Sequence, residues 1–223
     1  MNFMESIWWA VKSLYERGLI YEGLKCVPYS WAMNTPVSNF EVNLNYKQVQ
    51  DPAITLKTQL RGNVREHLGL DNIPDLPIYA YVWTTTPWTL PSNMALAVNK
   101  EINYSLVLNA REKEILIVAS NLVKAHFPEL AKSSKKAKTE DVSQSFVVLG
   151  EVTGEKLVGL EYNSFFPYFE SERANKAFRI YAGDFVTSED GTGIVHCASF
   201  GEDDLKLFFD VGITVVAPVD EDG

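Results

Sequence analysis

Phe3, Ile7, Val11, Leu14 and Tyr15 recur at steps of three and four, and the run stops at Gly18. That periodicity predicts an amphipathic helix closed by a glycine. Trp8 and Trp9 widen its apolar face beyond what a free surface helix needs, so the face is expected to pack on something larger. Residues 21–27 read as a strand, and 28–38, with Pro28 and Pro36, as a turn-rich connector. From Tyr46 onward the pattern shortens into β runs at 54–60, 78–84, 104–108, 115–119, 146–149 and 178–181. Helical periodicity returns at 121–130, broken at Pro128, and at 201–212, where Leu205, Leu207, Phe208 and Val211 share a face. The expectation is an α+β chain with a β-barrel-like core and a few peripheral helices. Residues 1–45 form a helix and connector, and 46–223 the main domain.

Two segments interrupt this pattern with chemistry. Residues 83–93 read W-T-T-T-P-W-T-L-P-S-N. Strand alternation sends neighbouring side chains to opposite faces, so Thr84, Thr85 and Thr86 cannot all point one way without a bend. Pro87 holds residue 86 extended and supplies that bend, which can aim two hydroxyls and a backbone N–H at one volume. Such a cluster can place water and a carbonyl oxygen. Threonine also favours strands for its shape alone, and composition by itself favours that structural reading of the run.

The second segment, residues 191–196, reads G-T-G-I-V-H. Asp190 and Gly191 signal a hairpin turn into a buried strand that ends at His196. It is not a phosphate cradle, because the G-x-G-x-x-G spacing is incomplete and no helix follows directly. Glu202, Asp203 and Asp204 lie in the first turn of the predicted last helix, where the helix dipole favours acids in any case. A serine triad has little support: there is no G-x-S-x-G elbow, and Ser199 neighbours His196 only in sequence. Three scattered histidines, His67, His126 and His196, do not compose a metal coordination sphere.

Charge narrows the partners. With 20 basic and 29 acidic residues the chain carries −9, so it has no long-range pull on a phosphate backbone and any nucleic acid must be delivered locally. Only residues 131–138, A-K-S-S-K-K-A-K, gather basic charge, as a solvated loop or a contact to RNA phosphates. Cys26 and Cys197 form no C-x-x-C pair and read as small packing residues suited to a reducing compartment. No basic start precedes the first apolar residues, and no run reaches membrane-spanning length, so a cytoplasmic protein without membrane partners is expected.

Taken together, these segments resemble the editing (connective polypeptide 1) domain of isoleucyl-tRNA synthetases, class I aminoacyl-tRNA synthetases. That family carries W-T-T-T-P-W-T-L-P-x-N where residues 83–93 stand, whereas valyl and leucyl relatives carry T-T-R-P, with arginine at the position of Thr86. The flanks 3–9 (F-M-E-S-I-W-W), 34–41 (N-T-P-V-S-N-F-E), 157–162 (L-V-G-L-E-Y) and 218–223 (P-V-D-E-D-G) also look like family stretches. The H-I-G-H and K-M-S-K-S signatures of the synthetic core are absent, so the chain looks like a fragment. ATP and magnesium would belong to that missing core, and no cofactor is expected within the fragment.

The resemblance implies hydrolysis of valine from mischarged valyl-tRNA(Ile), with valyl-adenylate as a further substrate. Valine lacks one methylene of isoleucine, and one methylene supports about 10- to 200-fold discrimination, a general figure for which isoleucyl-tRNA synthetases are themselves the standard example. A second pocket supplies the rest. The partners implied are the 3′ end of tRNA(Ile) carrying valine and the synthetic core. By the same resemblance Thr84, Thr85 and Thr86 place the attacking water and the terminal ribose, and His196 forms the wall that excludes isoleucine. Asp204 receives the substrate's α-ammonium, and Trp88, Asn93 and Asp203 contribute to substrate binding. One departure stands out: the family places a proline and one further residue between the histidine element and the acidic pair, which leaves Asp203 and Asp204 both open as the ammonium ligand. The competing readings are a non-catalytic tRNA-docking module and the editing domain of a valyl- or leucyl-type enzyme.

Overall fold

The computed structural model describes residues 2–44, 46–70, 72–133, 146–220 and 222. The lysine-rich stretch from residue 134 onward lies outside them. Helix α1 (Asn2–Glu16) forms where the periodicity places it, and Gly18 closes the turn after it at φ 69°. None of its side chains is buried. The strand expected at 21–27 does not form; the segment stays irregular, because no neighbouring strand pairs with its backbone among the described residues. Instead β1 (Tyr29–Ser30) and β2 (Thr35–Pro36) make a small antiparallel ribbon. Helix α2 (Asn39–Val42) follows, capped reciprocally by Ser38 and Glu41. Among the described residues no helix is long and apolar enough to cross a membrane.

The core is a closed barrel. Its strands are β3 (Ile54–Arg61), β4 (Ile78–Thr84), β5 (Ala95–Val98), β9 (Glu161–Tyr162), β10 (Arg179–Ala182) and β11 (Val195–Cys197), and β11 pairs with both β4 and β5 to close the ring. Strands β6 (Asn103–Asn109), β7 (Glu114–Ala119) and β8 (Phe146–Thr153) extend it as an antiparallel wing. One edge of β4 serves both: Ile78 sits in register with Ile115 of β7, and farther along Trp83 sits in register with Val195 of β11. Closure leaves no free edge among the ring strands. Helices α3 (Val64–Leu68), α4 (Val123–His126), α5 (Pro128–Ser133), α6 (Gly154–Leu157) and α7 (Glu202–Val211) lie between and after the strands.

Alternation along β4 decides what the site can contain. Ile78, Ala80, Val82 and Thr84 are buried, while Tyr79, Tyr81 and Trp83 are half-buried. Thr84 is therefore the first hydroxyl on a face otherwise made of aliphatic side chains.

Two barrel strands escaped the pattern: β5 has all four residues buried, so it shows no alternation, and β9 is too short to show any, whereas β11 is the buried strand expected to carry His196, running one residue past it. The turn at 191–193 is present, but it is not a hairpin, since residues 183–190 form no strand. It is held from outside: Tyr104 Oη donates to the Gly193 carbonyl (2.7 Å), Ala119 N–H to that of Thr192 (2.9 Å), and His126 Nε2 lies 2.5 Å from that of Gly191. Both glycines have positive φ, 70° and 75°, and a Cβ on either would strike Trp83 or Ala119. The turn thus tucks its backbone against β4 and β7 and sets the direction in which β11 leaves.

Candidate functional site

The site grows from the exit of β4. Thr84 and Thr86 turn their hydroxyls toward one another, 3.3 Å apart, and the Thr86 N–H donates to Thr84 Oγ1 at 3.1 Å. Thr84 is buried, while Thr85 and Thr86 are both exposed. Pro87 then opens a short 3₁₀ helix (Pro87–Ser92), in which the Thr89 N–H and hydroxyl both donate to the Thr86 carbonyl, at 3.0 and 2.8 Å. That helix turns Thr89 inward and delivers Asn93 beside it, both buried.

His196 comes from β11, whose register sets it opposite Leu96 of β5. Its ring meets Thr89 Oγ1 at 2.6 Å through Nε2 and Asn93 Nδ2 at 2.9 Å through Nδ1. Only 6% of the residue is exposed. Burial lowers its pKa from the usual 6.5 to about 4, because the cation cannot be solvated there. The imidazole is neutral near pH 7. Asn93 also donates to the Ala95 carbonyl (2.8 Å) and accepts from Tyr162 Oη (2.7 Å). Burial drives the Tyr162 phenol well above its ordinary value.

Beyond His196 the chain turns through residues 198–201 into α7. Asp204, three residues into α7, accepts the Ala198 N–H at 3.1 Å and closes the loop 198–204. Desolvation raises its pKa, opposed by that N–H and by the Cys197 thiol, and Asp203 adds like charge. Among the described residues no cation offsets the burial. Asp203 itself is exposed. Trp88 is 63% exposed and its ring lies 5.1 Å from that of Phe200, so the loop after β11 also touches the threonine segment. An open cleft of about 810 Å³ lies there, walled by Tyr29, Trp31, Trp88 and Phe200. Cys26 and Cys197 are both free thiols, the latter buried. Among the described residues no cluster of three His, Cys, Asp or Glu side chains is arranged to hold a metal ion.

The fold therefore brings Thr84, Thr86, Asn93 and His196 into one cluster connected through Thr89, while Trp88 packs on Phe200, Asp204 closes the loop that follows β11, and Thr85 and Asp203 are exposed. Reading the sequence by residue type overlooked Thr89 and Tyr162. Thr89 had a signal, standing three residues after Thr86 across a proline, the spacing of one tight turn. Tyr162 had none, since only barrel closure carries β9 to Asn93.

Comparison with known proteins places this geometry. The family model for class I tRNA synthetases (I, L, M and V) matches residues 1–188. The isoleucine–tRNA ligase of Bdellovibrio bacteriovorus is 48% identical over the whole chain, which covers 19% of that protein. The isoleucine–tRNA ligases of Corynebacterium diphtheriae and Tetrahymena thermophila are 44% and 41% identical, again over the whole chain and over 20% and 19% of theirs. The chain thus spans about a fifth of the length of the curated relatives it matches. Among solved structures, GlLeuRS-CP1 superposes with a TM-score of 0.53 at 16% identity, covering 71% of this chain and 58% of that one. The editing domain of the P. knowlesi cytosolic leucyl-tRNA synthetase gives 0.50 at 18%, covering 73% and 61%. The barrel is thus the fold of synthetase editing domains, and the chain belongs to the class I tRNA synthetase family of the isoleucine, leucine, methionine and valine type.

Proposed function

We propose that this chain is the editing domain of an isoleucyl-type synthetase and hydrolyses valine from mischarged valyl-tRNA(Ile). The observation that carries the reading is the buried contact between Thr89 and His196, 2.6 Å long across 107 residues of sequence, which joins the two motif segments into one site. Hydrolysis of an aminoacyl ester needs a placed water, a recognised ammonium and a sieve for the side chain. The Thr84 and Thr86 hydroxyls, already 3.3 Å apart, orient the water, and Thr85 at the exposed strand exit meets the terminal ribose. His196 forms a neutral, immobile wall against the longer side chain. Asp204 binds the α-ammonium, a partner that relieves a carboxylate disfavoured by burial. No side chain in the cluster is free to act as a strong base, so most of the rate comes from positioning.

The exposed Trp8 and Trp9 face of α1 then docks on the remaining synthetase, which supplies the tRNA that a chain of charge −9 does not attract by itself. The test compares hydrolysis of valyl-tRNA(Ile) and isoleucyl-tRNA(Ile) by the wild type and by Thr86→Ala, His196→Ala and Asp204→Ala. The wild type is expected to cleave the valyl ester preferentially, and each substitution to diminish cleavage or preference. Valyl hydrolysis undiminished by all three would return the chain to a docking role. Preferential release of threonine or norvaline would move it to the valyl or leucyl type.

A further inference from the structure

Every polar atom of the Asn93 side chain and of the His196 ring is engaged by the protein, and the donors can be ordered. The Ala95 carbonyl can only accept, so the atom 2.8 Å from it must be the Asn93 amide nitrogen. The amide oxygen then receives the Tyr162 hydroxyl at 2.7 Å. The second amide hydrogen has two acceptors within reach, His196 Nδ1 at 2.9 Å and the Cys197 carbonyl at 3.4 Å; the shorter contact takes it, and an amide N–H facing Nδ1 calls for a lone pair there. A neutral ring with an unprotonated Nδ1 carries its proton on Nε2, which points at Thr89 Oγ1 at 2.6 Å. The threonine hydroxyl passes its own hydrogen to the Thr86 carbonyl at 2.8 Å. The order runs one way, from Tyr162 through Asn93, His196 and Thr89 to the backbone of the threonine turn.

We propose that Asn93 and Tyr162 are positioning residues that lock His196 in its neutral Nε2–H tautomer, and that Asn93 is not a substrate ligand. This rests on the editing reading only in the use made of the locked ring. With both nitrogens committed, His196 gives no base and no hydrogen bond to the substrate. It acts as a fixed surface and as the link that holds the Thr86 carbonyl through Thr89. The arrangement also explains why the ring stays neutral beyond the effect of burial: a proton on Nδ1 would face an N–H donor. Tyr162 sits on β9, a strand paired with β3 and remote in sequence from the threonine turn, so barrel closure itself is coupled to the placement of Thr86.

The test is ¹⁵N NMR of the chain labelled at histidine, at pH 7, with His67 and His126 as internal references. In the wild type His196 is expected to show a pyrrole-type Nε2 and an unprotonated Nδ1. Asn93→Asp keeps the shape and replaces the donor by an acceptor, so Nδ1 is expected to become protonated and valyl-ester kcat to fall at least tenfold with KM within twofold. Tyr162→Phe, which keeps the ring volume and serves if the aspartate variant does not fold, is expected to speed Nε2–H exchange at least tenfold. An Nδ1–H tautomer in the wild type would overturn the proposal, as would an unchanged nitrogen pattern in Asn93→Asp or exchange within twofold of wild type in Tyr162→Phe. A side chain that merely fills the core would lower stability without moving the ring proton. The NMR measurement uses no substrate: a locked ring in a chain that cleaves no valyl ester would sink the editing reading and leave the lock standing.

Discussion

The barrel and the segment that precedes it are both rich in aromatic residues and use them in opposite ways. Tyr104, Tyr162, Phe178 and Phe208 are fully enclosed, and two of their hydroxyls, those of Tyr104 and Tyr162, carry hydrogen bonds that set the Gly-Thr-Gly turn and the site amide. Phe3, Trp8, Trp9 and Tyr15 lie along α1 with most of their surface in water. Periodicity specifies an element and its adhesive face in both regions, but burial needs a partner, and only the barrel supplies its own by closing on itself. An aromatic hydroxyl gains its value as a positioning group only once that closure excludes water.

Leu96→Ala in β5 is the harshest way to probe this contrast. Leu96 is wholly buried where β10, β5 and β11 meet, so the substitution is expected to lower the unfolding free energy by about 2–5 kcal/mol, read by chemical denaturation. A loss below one kilocalorie would mean that the barrel tolerates the cavity and that the two regions differ less than their burial suggests.

Next comes the pH dependence of stability. The folded state holds His196 near a pKa of about 4, while the unfolded chain titrates near 6.5, so the unfolded state binds the extra proton first. The contribution is fully present above pH 6.5 and is lost as the pH falls toward 4, about 3 kcal/mol across that window. Denaturant midpoints at pH 7.5 and 4.5 are expected to separate in the wild type and to converge in His196→Gln. An equal separation in both proteins would assign the pH dependence to other groups.

Asp204→Ala tests the loop between β11 and α7, which Asp204 closes and whose Phe200 packs on Trp88. Losing a charge-assisted contact worth about 1.5–3 kcal/mol is expected to cut kcat/KM for the valyl ester by about 10- to 100-fold. Asp203→Ala, at an exposed position, is expected to change it less than threefold. The reverse ranking would exchange their roles. The smallest effect belongs to α1: replacing Trp8 and Trp9 together by serine is expected to shift barrel stability by less than about 0.5 kcal/mol, because neither side chain is buried in this chain. A larger loss, followed by the same denaturation measurement, would show that the helix supports the barrel directly.

Much of the fold was legible in the order of residues, for reasons that the misses make plain. β4 was read to the residue, because its alternation is strict and Pro87 ends it, and α7 was read within a residue at each end from its apolar face and Gly212. β5 was missed because burial on both faces erases alternation, and the hairpin at 191 was overcalled because a glycine turn specifies a reversal and not the strand before it. At the site, Thr84, Thr86, Asn93 and His196 belonged to the segments singled out, and Thr89 lay unremarked within one of them. Tyr162 was beyond reach.

What the sequence determined by itself is local: which stretches are helix or strand, where proline and glycine bend the chain, and that hydroxyls, an imidazole and acids stand at those bends. These follow from steric limits and side-chain periodicity acting over a few residues. Which of those groups meet was left to tertiary structure, because ring closure through β11 is a long-range pairing that no local pattern encodes. Closure set His196 between Thr89 and Asn93, brought Tyr162 from a distant strand, and removed the water that would otherwise have let each of these groups turn freely.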